Sequence, residues 1–284
     1  MSLGQTELSS QLAAAFKAAC LSELEALKPG NVHVFADGHG MVVQDFIRSA
    51  EAAAQEIAKP DLTVGQRIFD AVESTWMAVG CNTNLGIILL SAPLIHAAFK
   101  SPRATLRERL SQVLKELTVE DAATAYRAIL QASPAGLGTS AQHDVHDVPS
   151  VSLLDAMREA ASRDRVALQY VSNFEDVFRG AEVYRSAYQR WGWAAWATTA
   201  VYLDFLAEIS DTHLFRKYGE EVARQVRDEA VHHRDLLLAQ ENPKKYQRPL
   251  LEFDRDLKSR GLNPGTSADL TVASLLLVEL EKMG

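Results

Sequence analysis

Cysteine is nearly missing from this chain: Cys20 and Cys81 are the only two in 284 residues. They stand far apart, which excludes a disulfide framework or a thiolate metal site and predicts two reduced thiols in a cytoplasmic protein. Positive charge is also in short supply, with 29 Lys and Arg against 37 Asp and Glu and a formal net charge of −8. Nonspecific nucleic-acid binding needs clustered cations to neutralise phosphates, so nucleic acid is not an expected partner. An anionic small molecule remains compatible if a few basic residues converge. Alternating runs of β-branched residues, the mark of strands, are almost absent. So is a long unbroken apolar run. The most membrane-like stretch, WGWAAWATTAVYLDFLAEI, is interrupted by Asp204 and falls short of the roughly 20 apolar residues a span needs. It reads as a core helix with Trp191, Trp193 and Trp196 at its start, and no membrane is expected as a partner. The N-terminus shows no basic stretch followed by an apolar run, so no secretory signal is expected. Oligomeric state is left open.

What is there is helical periodicity from end to end. In ELSSQLAAAFKAACLSELEAL, residues Leu8, Leu12, Ala15, Phe16, Ala19, Cys20, Leu24 and Leu27 share one face. VVQDFIRSAEAAAQEIA and TVGQRIFDAVESTWMAVG repeat the pattern, and Thr63 with Gln66 offers a capping box. LGIILLSAPLIHAAF is apolar nearly all round, which predicts a buried helix, bent near Pro93. Further helices are predicted at 104–116, 119–131, 152–171, 174–190, 193–208, 218–240, 244–260 and 267–282. No linker or repeat divides the chain. The expectation is a single all-α domain over residues 1–284 with about ten to thirteen helices.

In a helical protein, backbone N–H groups are free only at helix starts and in irregular turns, so those are the places to look for a polar ligand site. In KPGNVH, residues 28–33, Pro29 stops a helix and Gly30 opens backbone geometry closed to other residues. A lysine at a helix C-terminus is favourable without any further purpose. Yet the loop continues through Asp37, Gly38, His39 and Gly40, longer than a stop requires. GCNTNLG, residues 80–86, places Asn82, Thr83 and Asn84 between two glycines; capping explains one of the three, not all. In SDTHLFRKYG, Ser210 or Asp211 is a credible N-cap, and Arg216 and Lys217 form a basic pair one turn later. RGLNPGTSADL holds Asn263, Thr266, Ser267 and Asp269 around a glycine, with Thr266 and Asp269 in the spacing of a helix start signal. GLGTSAQHDVHDVP imitates a dinucleotide fingerprint without the strand that must precede one. Its His143, Asp144, His146 and Asp147 have a spacing compatible with Zn²⁺ or Mn²⁺, although solvated loop residues would look the same.

KPGNV, GCNTNLG, DTHLFRKYG and NPGTSADL, in this order on a helical chain, resemble the triphosphoribosyl-dephospho-CoA synthase family over residues 23–280. The resemblance implies a transferase that moves a 5-triphosphoribosyl group from ATP to dephospho-CoA or a related cofactor precursor and releases adenine, with Mg²⁺. Carried over position by position, it implies nucleotide contacts at Lys28, Gly30, Asn82, Thr83, Gly86, Lys217 and Ser267, and the same loops and turns add Asn31, His33, His39, Asn84 and Arg216 as candidate contacts. It implies catalytic carboxylates among Asp45, Asp211, Asp254 and Asp269, with Asp211 and Asp269 for the metal. Gly219 matches the same pattern.

Two departures stand out. Where the family reads Gly-Ala-His-Lys-Asp and Asn-Thr-His-Lys-Gly, this chain reads DGHGM and NTNLG. Two lysines suited to phosphate are replaced, and Leu85 in place of a cation forfeits on the order of 1.5–3 kcal/mol of charge-assisted contact. The histidines of the first loop are the expected substitutes. The HDVHDVP loop and the helix after it are similar to a divergent branch in archaea and methylotrophic bacteria, which leaves the acceptor open. Two other functions compete: a metal-dependent phosphohydrolase built on His143, Asp144, His146 and Asp147, and a helical nucleotide-binding protein without catalysis.

Overall fold

A computed structural model describes residues 3–38, 40–133 and 142–283. Among them are fourteen α-helices and no strand, so the chain is all-α. The first six are α1 (Leu3–Glu25), α2 (Val43–Ile57), α3 (Val64–Val79), α4 (Leu85–Phe99), α5 (Leu106–Glu116) and α6 (Val119–Ala132). Then come α7 (Leu153–Ala160), α8 (Arg165–Val171), α9 (Glu175–Trp191), α10 (Ala194–Glu208), α11 (Thr212–Tyr218) and α12 (Glu220–Leu238). A 3-10 turn, Pro243–Tyr246, leads into α13 (Gln247–Ser259) and α14 (Gly265–Glu281).

The sequence expectation of ten to thirteen helices is slightly low, for two local reasons. The predicted helix 152–171 is two: Asp164 leaves helical geometry and accepts from Val166 N and Ala167 N, capping α8 afresh. Gly219, at φ +88°, separates α11 from α12, where periodicity alone suggests one turn and one helix.

Helix starts follow the sequence closely. Thr63 and Gln66 exchange hydrogen bonds across the first turn of α3, and Thr105 with Glu108 and Thr118 with Asp121 do the same for α5 and α6. The two helices that are apolar on every side, α4 and α14, are buried along most of their length, as such composition requires. α4 runs through Pro93. The main core gathers around these two helices, and a second cluster lies beneath α10 to α13. α10 carries the membrane-like stretch; its Val201 and Phe205 join the first cluster and its Tyr202, Leu203 and Leu206 the second. No helix among the described residues is long and apolar enough to cross a membrane. Because α4 and α14 lie deep, their N-termini open inside the protein, and that places the site.

Candidate active site

A cavity of about 430 Å³ lies where the end of α1, the loop after it, the 80–86 turn, the α7–α8 corner, α11 and the start of α14 meet. The volume falls in the range of small-molecule sites, about 300–1,000 Å³. One end is polar, with Glu23, Asn31, Asn263 and Asp269; aliphatic side chains such as Leu89, Leu153 and Met157 line much of the rest.

Asp269 is the decisive residue. The sequence allows it to be a helix cap, but α14 already starts at Gly265, and Asp269 is its fifth residue, too far along to cap it. Its carboxylate accepts no hydrogen bond among the described residues and lines the cavity. It packs directly on the Cα of Gly86, where a Cβ would lie 2.0 Å from Oδ2 and 2.6 Å from Cγ. This explains the glycine that closes GCNTNLG. Burial, then the charges of Asp211 and Glu23, hold the Asp269 carboxyl well above the usual carboxylate range, against the opposing pull of Arg216.

The other three predicted carboxylates sit elsewhere. Asp211 is buried and has both oxygens occupied: Oδ1 accepts from His213 N and Leu214 N, Oδ2 from Ser267 N and Oγ. It joins the start of α11 to the start of α14, and those four donors leave no lone pair for a metal. Ser267, fully buried, is the other half of that clamp. Asp254 is equally buried; it accepts from Gly30 N at 2.9 Å and Lys258 Nζ at 3.1 Å, and its Oδ1 lies 3.2 Å from His33 Nε2. Burial raises its proton affinity, but the His33 and Lys258 contacts and the Gly30 N–H outweigh burial and hold its pKa below the ordinary value. Asp45 receives Val42 N at the partly exposed start of α2 and does not line the cavity.

The first loop folds inward rather than toward a ligand. Gly30 sits at φ +83°, pressed so closely on Leu262 O and Pro264 Cδ that a Cβ would lie 2.9 Å from each. Lys28 is 1% exposed, pairs with Glu23 and donates to Asn31 Oδ1 at 3.0 Å, so the residue expected to contact phosphate is turned inward and does not line the cavity. Burial lowers the Lys28 pKa and raises that of Glu23, each against the attraction of the other. His33 is fully buried, its pKa lowered by burial, and it does not line the cavity. His39 lies outside the described residues, as does the Gly136–Ala141 stretch. Asn31 does line the cavity.

From the second turn, Asn82, Thr83, Asn84 and Gly86 all reach the cavity. Asn82 Oδ1 accepts from Leu85 N, Thr83 donates to Ser49 Oγ, and Asn84 donates to Thr75 Oγ1, so these side chains fix the turn as well. Arg216 lines the opposite wall and pairs with Asp164, whereas Lys217 is exposed, 5.1 Å from the Tyr218 ring. The arginines at the cavity wall are Arg216 and Arg163. His143 and Asp144 also face the cavity, but His146 turns its Nδ1 onto Asp144 Oδ1 at 2.6 Å. Among the described residues no group of three or more His, Cys, Asp or Glu side chains is arranged to hold a metal ion.

Sequence reasoning overlooked Glu23 and Arg163. Glu23 carried a signal: it falls beside Cys20, Leu24 and Leu27 on the apolar face of α1, where an unpaired charge has no business. Arg163, in SRDR, looks like any solvated turn and carried none.

The profile of the ATP:dephospho-CoA triphosphoribosyl transferase family matches residues 9–284. No curated protein matches the chain. Among solved structures, the chain is similar to a provisionally assigned triphosphoribosyl-dephospho-CoA synthase from Archaeoglobus fulgidus, with 22% identity, a TM-score of 0.63, and coverage of 82% of this chain and 97% of that one. At that identity the likeness concerns the fold. The family match covers nearly the whole chain, including every element that builds the cavity, and the chain belongs to the ATP:dephospho-CoA triphosphoribosyl transferase family.

Proposed function

We propose that the cavity binds ATP together with dephospho-CoA or a closely related precursor, and transfers the triphosphoribosyl group with release of adenine. The observation that carries this reading is the Asp269 carboxylate, which faces the cavity and accepts no hydrogen bond among the described residues. Displacement of a base from an anomeric carbon passes through an oxocarbenium-like state, and negative potential at that point stabilises it. In the step, the acceptor's ribosyl 2′-hydroxyl oxygen bonds to the anomeric carbon as the carbon–nitrogen bond to adenine breaks. The bonding pair leaves with adenine. Asp269 takes the hydroxyl proton and passes it to the departing adenine, so the exchange is balanced.

Mg²⁺ is commonly held by one or two carboxylates plus substrate phosphates. The carboxylates at this wall do not offer that set: Asp269 is the base of the step, Glu23 is paired with Lys28, and Asp211 has its oxygens occupied. Arg163 and Arg216 are the cationic side chains of this chain's cavity wall that suit the triphosphate.

The test is to incubate purified protein with ATP, Mg²⁺ and dephospho-CoA and to resolve the products by chromatography with mass detection. Free adenine with a triphosphoribosyl adduct is the expected result. ATP bound without adenine formed on any dephospho-nucleotide acceptor would refute the transfer and leave a binding protein.

A further inference from the structure

Four side chains form a relay whose direction is fixed at one end. The buried Lys28 Nζ contacts Glu23 and donates to Asn31 Oδ1 at 3.0 Å; Asn31 Nδ2 in turn donates to Asn263 Oδ1 at 2.8 Å. An amide can be turned end for end, and its neighbours decide which end points where. Here they decide it, because a lysine nitrogen donates to an amide oxygen and not to an amide nitrogen. The direction holds whether Lys28 is charged or shares its proton with Glu23, since its nitrogen keeps a hydrogen for Asn31 in both forms. Asn31 must then present its amino group to Asn263, and Asn263 must present its own amino group onward. That amino group has no hydrogen-bond partner among the described residues, and Asn263 lines the cavity.

The relay therefore delivers a pair of N–H donors to the polar end of the site. Glu23 and Asp269 line the same end, so an anionic phosphate oxygen there would be repelled. The fitting partner is a neutral acceptor. Sugar hydroxyls can donate to the two carboxylates; the aromatic ring nitrogens of adenine that carry no substituent can only accept, and an N–H donor such as this one satisfies them. Building on the reading of ATP as donor substrate, we propose that Asn263 is the base-recognising residue of the site. Its amide donates to a ring nitrogen of adenine, and Lys28 and Asn31 are positioning residues that keep the amide facing that way. Such a donor also strengthens as the departing base gains electron density, so it favours departure as well as binding.

The experiment is equilibrium binding by calorimetry, which needs no turnover. ATP, its 1-deaza, 3-deaza and 7-deaza analogues, and its 2′-deoxy and 3′-deoxy analogues are titrated into wild type, Asn263→Ala, Asn263→Asp and Asn31→Asp proteins, each checked for an unchanged helical melting curve. For the wild type, one deaza analogue is expected to bind about tenfold more weakly than ATP, the worth of one neutral hydrogen bond. Asn263→Ala is expected to lose the same factor for ATP and to stop discriminating that analogue. Asn31→Asp draws the Asn263 amino group to itself and turns its oxygen into the cavity, so ATP affinity should fall about a hundredfold, as in Asn263→Asp. Undiminished discrimination by Asn263→Ala would overturn the inference, as would a loss confined to the deoxy analogues. No ATP binding by the wild type would overturn it together with the proposed function. ATP binding and adenine release without any deaza effect would overturn the inference alone.

Discussion

Gly86→Ala is the perturbation that most cleanly separates the chemistry from the fold. The new Cβ would lie 2.0 Å from Asp269 Oδ2 and 2.6 Å from its Cγ, so the carboxylate must swing away. Gly86 sits in the first turn of α4 without a positive φ, so alanine is conformationally welcome there and gains up to about 1 kcal/mol of helix propensity. The clash is with the end of a side chain that can rotate, at a cost of about 0.5–1.5 kcal/mol for an off-rotamer torsion. The two nearly offset, and the melting temperature should stay within about 2–4 °C of wild type, the shift that roughly 1 kcal/mol produces in a chain of this size. Activity should not survive: displacing a reacting group by an ångström costs about a hundredfold in rate. Adenine release and a helical melting curve on the same sample measure both. Gly30→Ala is the contrast. Its Cβ would press on a backbone carbonyl, Leu262 O, and on the Pro264 ring, both at 2.9 Å, at φ +83°. No side chain can yield there, so a melting loss well beyond that of Gly86→Ala is expected. A fully active Gly86→Ala enzyme would refute the role given to the placement of Asp269; a Gly86→Ala protein as unstable as Gly30→Ala would refute the packing argument.

Asp269→Asn should abolish adenine release and leave the melting temperature unchanged or higher, because it removes a carboxylate whose ionisation burial and two like charges oppose. Asp211→Ala should instead lower stability on the order of 3 kcal/mol or more, read by denaturant titration, since it strands four donors at the starts of α11 and α14. His96, in α4, has its pKa lowered from 6.5 to about 4 by burial and by Arg67 and Lys100, against Leu62 carbonyl and Asp121. Its folded value lies below its unfolded one, so the unfolded chain binds the proton first as pH falls. Stability should therefore be full above about pH 6.5 and decline between 6.5 and about 4. His96→Gln should flatten that part of a melting-temperature profile; an unchanged profile would show that His96 does not carry it.

How much of this was legible depends on how far away each partner stands in the chain. The helices were legible because their causes are local: α4 and α14 are apolar on every side, and Thr63, Thr105 and Thr118 find their partners three residues on. The 80–86 and 260–269 turns were legible as places at the cavity for the same reason, since α4 and α14, apolar all round, must start inside the protein. Roles within the turns were not. Asp211, Asp254 and Asp269 look alike in sequence, each an aspartate in a polar stretch. What distinguishes them is which donors the fold brings: Ser267, 56 residues from Asp211, and Gly30, 224 residues from Asp254, against none among the described residues for Asp269. Lys28 shows the converse. Its partner Glu23 is only five residues away, and a glutamate on the apolar face of α1 already called for an internal cation. The lysine of KPGN then has its charge committed before any phosphate arrives. What the loop offers a ligand is an oriented amide, and the orientation is the part of the site that the lysine makes.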